Sequence, residues 1–301
     1  MITNAGSVGH SALLTLFNAS WEACKLPSKW KEATIIPIPK PKDPGAMRPI
    51  SLLSCVGKTM ERIVLNRLTW AVGPLHQDLF AYRRGMGTAE CLSTLLRAAS
   101  SGSTTVAFLD LEKAFELANC PVILSLLVRK GICGRLLIWL RDFLSGRAAR
   151  VAFQGETSQL HQHENGTPQG SILSPFLFNI LMKELISLPL PPGTKLLCYA
   201  DDLALYCTGP AHAQRAQNLL TDITTKCREL GLKLNVAKSK AMAFGCDAPR
   251  APLYILDTPL SWVTSHQYLG IWLDNRLNLR THVAYLQEKT AGSPSYGQSL
   301  A

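Results

Sequence analysis

Two adjacent carboxylates, Asp201 and Asp202, lie in the stretch Tyr199-Ala200-Asp201-Asp202, between the apolar runs 195–198 and 203–207. Like charges at the tip of a hairpin repel one another unless a cation, usually a divalent one, sits between them. The alternative is a solvated turn, because Asp is a common turn residue. Asp110 is the other acid at the end of a strongly apolar strand, 106–111. Its plainer reading is an N-cap, since Glu112 and Lys113 begin a polar turn. If this strand lies beside the hairpin in one sheet, carboxylates from two backbone segments meet at the same edge. Two-metal phosphoryl chemistry needs that convergence, with ions about 3.5–4 Å apart. Alternation along a strand sends Asp201 and Asp202 in different directions, and spacing does not say which is the stronger ligand.

The elements that must position these acids are readable in outline. Leu13, Leu14, Leu16 and Phe17 form an apolar helical pattern with no capped beginning. The run 33–38, a Pro- and Lys-rich turn over 39–45 and the run 48–53 make a basic-tipped hairpin. Met60, Ile63, Val64 and Leu68 recur at helical spacing, which leaves Lys58, Glu61, Arg62 and Arg67 for a charged outer face. A basic loop (Arg83, Arg84, Gly85, Gly87) precedes a helix with Thr88 as N-cap. Pro121 and Gly131 frame one helix and Gly146 stops another, 136–144. Residues 150–164 read as a hairpin feeding the loop 165–171, and a long apolar helix follows. Leu219, Leu220, Ile223, Cys227 and Leu230 mark an amphipathic helix ended by Gly231. Short strands are expected at 232–234, 241–244 and 268–273, and a frayed Ser/Gly-rich tail at 291–301. The order gives an α+β class.

Bulk properties narrow the partners. The 301 residues, 47% hydrophobic and 17% charged, describe a globular chain able to bury a sizeable core. A formal net charge of +10 points first to nucleic acid and second to an acidic membrane surface. Nine singly scattered cysteines, without C-x-x-C, suit a reducing intracellular compartment, nuclear or cytoplasmic. Residues 1–20 carry neither a basic start nor a small-residue cleavage site, so no secretory leader is expected. The most apolar segment, 172–190, is broken by Pro175, Lys183 and Glu184, which suits a core helix and no membrane partner.

From residue 26 to 274 the chain resembles the reverse transcriptase domain of a non-LTR (LINE-type) retrotransposon. Leu26-Pro27 with Trp30-Lys31, the run 35–40 and Arg48-Pro49-Ile50-Ser51-Leu52 resemble the entry blocks of the fingers, and 80–88 the next fingers block. The blocks 109–115, 166–175, 199–202 and 231–238 resemble four palm motifs in the family's order, and Tyr268-Leu269-Gly270 resembles the primer grip. The resemblance implies a right-hand polymerase: fingers over 1–100, palm over 101–275 with a fingers insertion around 118–165, and a thumb stub and tail over 276–301. The palm sheet would be antiparallel with flanking helices.

It implies RNA-directed DNA polymerase activity on an RNA template and a DNA primer with deoxynucleoside triphosphates. Asp110, Asp201 and Asp202 match the carboxylates that hold two Mg²⁺ ions, with Mn²⁺ as the alternative. Lys238 matches the lysine near the leaving pyrophosphate. Phe115 matches the aromatic gate against a 2′-hydroxyl, Gln169 and Gly170 the loop beside template base and nucleotide. Arg48, Arg83 and Lys40 match positions that reach the triphosphate, where guanidinium forks suit phosphate oxygens. Two departures stand out. Ala114-Phe115-Glu116 replaces the family's usual Ala-Phe-Asp, which puts local geometry in question. The resemblance also implies truncation at both ends, with the thumb largely missing after 277–289, and no endonuclease, RNase H or zinc-knuckle segment. The second reading is therefore a catalytically silent nucleic-acid-binding remnant. A metal phosphatase or phospho-receiver would leave 166–171, 268–270 and 48–52 unexplained. Oligomeric state is not readable.

Overall fold

The computed structural model describes residues 4–40, 43–163, 166–246 and 252–291. The tip of the basic hairpin, 41–42, and the tail beyond 291 lie outside these. The chain divides into two compact units interleaved along the sequence. One comprises Met1–Leu75, Lys113–Glu184 and Leu230–Leu232; the other comprises His76–Glu112, Leu185–Glu229 and Lys233–Ala301.

In the first unit, Glu32–Lys40 pairs antiparallel with Asp43–Leu52, placing Ile36 opposite Ile50 and Ile38 opposite Arg48. Its other edge takes the strand Arg147–Phe153 in parallel. The helix Cys55–Val72 starts where Ser54 Oγ accepts the Gly57 N–H at 3.2 Å, and ends at Gly73 with φ 72°. Its buried stripe is Gly57, Met60, Glu61, Val64 and Leu68. This corrects the expected helix face. Glu61 is inside and only 4% exposed, whereas Ile63 is 38% exposed. The helices Cys120–Arg129 and Gly134–Leu144 follow, the second burying Trp139 stacked on Phe143. The helix Ser174–Ile186 completes the set that bears on the loop before it.

The second unit holds a five-stranded sheet among the described residues. Its order is Ser261–Trp262, Leu234–Phe244, Thr104–Leu111, Asp202–Thr208, Thr194–Tyr199. All neighbours are antiparallel except the first, short edge pair. In the central strand every residue but Asp110 is buried, because helices cover both faces of the sheet. Leu92 and Leu95 of the helix Thr88–Ala99 join Val106, Phe108, Ala204, Tyr206, Met242 and Phe244 in one apolar cluster. The helix His212–Glu229 buries Ala216, Leu219, Leu220 and Ile223 and packs on the strands Thr104–Leu111 and Asp202–Thr208.

Three expected boundaries move. Gly87, not Thr88, is the N-cap residue, and the Glu90 carboxylate accepts its N–H at 2.7 Å. The two strands expected at 232–234 and 241–244 are one strand, Leu234–Phe244. The run 268–273 is a hairpin instead of a strand. Ser265–Tyr268 turns into Ile271–Asp274 through Leu269 (φ 47°) and Gly270 (φ 87°). Positive φ at both central residues is the pattern whose twist matches paired strands.

Candidate functional site

The acidic pair is built by a two-residue turn. Tyr199 pairs with Asp202, leaving Ala200 and Asp201 as the central residues, with Ala200 at φ 57°. Positive φ at the first central residue alone is the sign pattern of a type II′ turn, usually a Gly position. Ala200 is 6% exposed, and its carbonyl accepts from Cys198 Sγ at 3.1 Å. Asp202 therefore opens the strand and stands directly opposite Asp110. Cross-strand partners share a face, with Cβ atoms about 4.5–5.5 Å apart, and like charges there repel. Asp202 reaches solvent yet is crowded by the protein around it. Desolvation first, then the charges of Asp201 and Asp110, raise its pKa to about 6. Asp201 sits at the turn and bears on Asp202 through its charge.

On the other side of the central strand the register jumps. Phe108 faces Lys240, but Asp110 faces Asn235. The intervening residues bulge out of the ladder, and a bulge re-aims side chains. Two hydrogen bonds shape it: Asp110 N–H to Ser239 Oγ at 3.2 Å, and Ser239 Oγ to the Asn235 carbonyl at 2.8 Å. Lys238 lies in this bulge and lines a cavity of about 140 Å³ together with Asp110, Asp202, His266 and Tyr268. His266 packs on Phe108 at 4.5 Å between ring centroids, and burial, then Lys240, pushes its pKa down to about 4. Sequence reasoning reached Lys238 but not His266, whose only signal was its place two residues before the Tyr268 block.

The remaining candidates divide between the units. Arg83 is in the same unit as the carboxylates. Its Nη1 donates to the carbonyls of His76 and Leu79, both at 2.6 Å, so this nitrogen closes its own loop. Its neighbour Tyr82 carries φ 59° and is 57% exposed. Arg48, Phe115, Gln169 and Gly170 belong to the other unit. Arg48 is exposed on its hairpin. Phe115 is half-buried and stacks on Phe178 at 4.5 Å. The Gln169 amide donates to Glu116 at 2.8 Å, and the Gln169 carbonyl accepts the Ser51 N–H at 2.7 Å. Gly170 has φ 129°, and a Cβ there would lie 2.4 Å from the Ser51 carbonyl oxygen, so only Gly fits.

Among the described residues, no three side chains of His, Cys, Asp or Glu gather closely enough to hold an ion by themselves. The facing pair Asp110 and Asp202 nevertheless fits Mg²⁺, which takes one or two carboxylates and completes its shell with water and substrate oxygens. Desolvation first, and then the charges of Asp201 and Asp110, disfavour the Asp202 carboxylate, and a cation held there would relieve both.

The mixed helices and sheets are those of a polymerase fold and are compatible with a right-hand fingers–palm core. A solved apo telomerase from Candida tropicalis, truncated from its C-terminal domain, superimposes with TM-score 0.61 at 12% identity, over 90% of this chain and 60% of that one. A Candida tropicalis telomerase in complex with a fragment of telomeric RNA gives 0.57 at 10% identity, over 90% and 48%. Residues 38–273 match the family described as reverse transcriptase (RNA-dependent DNA polymerase), and the chain belongs to that family. Two Drosophila melanogaster relatives are each 29% identical. The putative 115 kDa protein of the type-1 retrotransposable element R1DM matches over 93% of this chain and 28% of its own length. The RNA-directed DNA polymerase from the mobile element jockey matches over 92% and 32%. The chain thus spans about a third of the curated relatives it matches. No helix among the described residues is long and apolar enough to cross a membrane.

Proposed function

We propose that this chain is the fingers–palm portion of an RNA-directed DNA polymerase that adds deoxynucleotides to a primer 3′-hydroxyl. The observation that carries the reading is the facing pair Asp110 and Asp202, sharing one cavity with Lys238. Bound Mg²⁺ ions would supply charge neutralisation on the triphosphate and a more acidic primer hydroxyl. Asp110, Asp201 and Asp202 would hold the ions, Asp110 and Asp202 facing each other across neighbouring strands. Lys238 offers a cation or a proton to the leaving pyrophosphate. Phe115, braced by Phe178, gates the sugar, and Gln169 with Gly170 meets the base pair being formed. Arg48 reaches phosphate oxygens, as does Arg83 through the nitrogens its loop leaves over. Segment 1–100 takes the name fingers and 101–275 the name palm, with a fingers insertion around 118–165. RNA template and DNA primer are the partners, in keeping with the basic charge and with the RNA-bound telomerase of like fold.

A second reading, nucleic-acid binding without turnover, draws on the net charge of +10, which serves binding with or without catalysis. Primer extension on poly(rA)/oligo(dT) with Mg²⁺ separates the two. Wild type extends, and Asp201→Asn and Asp202→Asn do not. Extension that survives both substitutions removes the metal assignment; an inactive wild type with salt-sensitive template binding supports the second reading.

A further inference from the structure

We infer that Glu61, which lies outside every motif block above, is the positioning residue for the loop that carries Gln169 and Gly170; this rests on the polymerase reading. Glu61 is buried, and its Oε2 gathers three donors: Ser171 Oγ at 2.5 Å, Ile172 N–H at 2.7 Å and Leu173 N–H at 3.2 Å. Ser171 Oγ in turn accepts the N–H groups of Leu173 and Ser174 at 3.1 and 3.2 Å. These are donors that the start of the helix Ser174–Ile186 leaves unpaired, and negative charge is favoured at that end.

A buried carboxylate costs several kcal/mol unless its lone pairs are satisfied and a countercharge is near. Oε2 has its donors, and a buried guanidinium supplies positive charge in the same unit. Arg147, 6% exposed, donates to the Phe143 and Trp30 carbonyls at 3.0 and 3.4 Å, and its guanidinium feels the Glu61 charge. Packing alone would be better served by an apolar side chain in the stripe Gly57, Val64, Leu68. What Glu61 adds is a fixed position for Ser171, the residue after Gly170. Upstream, Gly166 N–H bonds the Ala118 carbonyl at 3.0 Å and Thr167 N–H bonds the Phe115 carbonyl at 2.8 Å. The loop is therefore tied at both ends, and its downstream tie is a side chain on another helix. Because Gly170 already abuts the Ser51 carbonyl, a shift of Ser171 is transmitted to Gln169 instead of being absorbed between them.

The test compares wild type, Glu61→Gln and Glu61→Leu in the full chain by amide exchange and by primer extension with dTTP, corrected for active fraction. Glu61→Leu should speed exchange at Ile172 and Leu173, raise the dTTP KM about tenfold and raise misinsertion, with template–primer Kd unchanged. Glu61→Gln, which keeps an acceptor, should fall between the two. A change confined to the active fraction, with KM and misinsertion at wild-type values, marks a merely structural role and overturns the inference. If Glu61→Leu does not fold, Glu61→Gln decides alone, and an unaltered KM overturns it. An inactive wild type overturns the polymerase reading and the positioning role together, whereas failure of the inference alone leaves wild-type extension intact.

Discussion

Gln169 donates its side-chain amide to Glu116 across 2.8 Å, joining the residue where this chain departs from the usual family pattern to the loop beside it. Glu reaches where the shorter Asp would stop one carbon earlier. A hydrogen bond to a charged group contributes about 1.5–3 kcal/mol, and partial exposure favours the lower end. A double-mutant cycle of Glu116→Ala and Gln169→Ala, read by urea unfolding, should give a coupling of about 1–1.5 kcal/mol. Glu116→Asp should lose most of it and lower kcat/KM for the nucleotide. A coupling near zero would show that the pair is incidental.

Asp202 pits function against stability. Its pKa is raised above the unfolded value, so the folded state binds the proton more tightly. The resulting stabilisation is present below the unfolded pKa and is lost as pH rises to about 6. Asp202→Asn should therefore raise the thermal midpoint at pH 7.5 and leave it little changed at pH 4. The same substitution should reduce primer extension on the order of 100-fold or more. A midpoint that falls at pH 7.5 would remove the repulsion argument.

His266 works in the opposite sense. Burial holds its pKa at about 4, so the unfolded chain binds the proton more readily. Stability from this group is present above the ordinary histidine range and is lost as pH falls toward 4. His266→Gln should flatten the dependence of the thermal midpoint on pH between 6.5 and 4. An unchanged slope would mean that the ring is not held neutral by the protein.

What the sequence disclosed, and what it hid, follows from local signals. Asp110 and the pair Asp201-Asp202 are legible because each borders an apolar run, where a charge has no packing purpose. Lys238 was placed by resemblance alone. Its polar surroundings, Asn235 to Ser239, read as a loop between strands, whereas a bulge carries them inside one strand. The hairpin at Leu269-Gly270 was hidden because Leu is not a turn residue, and tertiary packing supplies the positive φ. Glu61 was assigned to the charged face by residue type, although the spacing 57, 61, 64, 68 already placed it in the buried stripe. A carboxylate at a helical core position is a signal in its own right, for it must be answered by donors that the helix itself does not provide.

Gly170 offers the sharpest test of the loop geometry. At φ 129° an L-residue is strained, which costs about 1–3 kcal/mol. The added Cβ would also meet a backbone oxygen of Ser51, which cannot rotate away as a side chain could. Gly170→Ala should therefore push apart the strand Asp43–Leu52 and the loop, breaking the bond between Ser51 N–H and the Gln169 carbonyl. The expected outcome is a fall in stability larger than the strain alone, about 3–5 kcal/mol by urea unfolding. Nucleotide KM should rise as well, because Gln169 loses its backbone tie. Gly102, at φ 136° but with open space where a Cβ would stand, provides the control. Gly102→Ala incurs the backbone strain without the collision, so it should lower stability less and leave KM unchanged. Equal effects at the two positions would show that strain, and not the approach of Ser51, is why Gly170 is glycine.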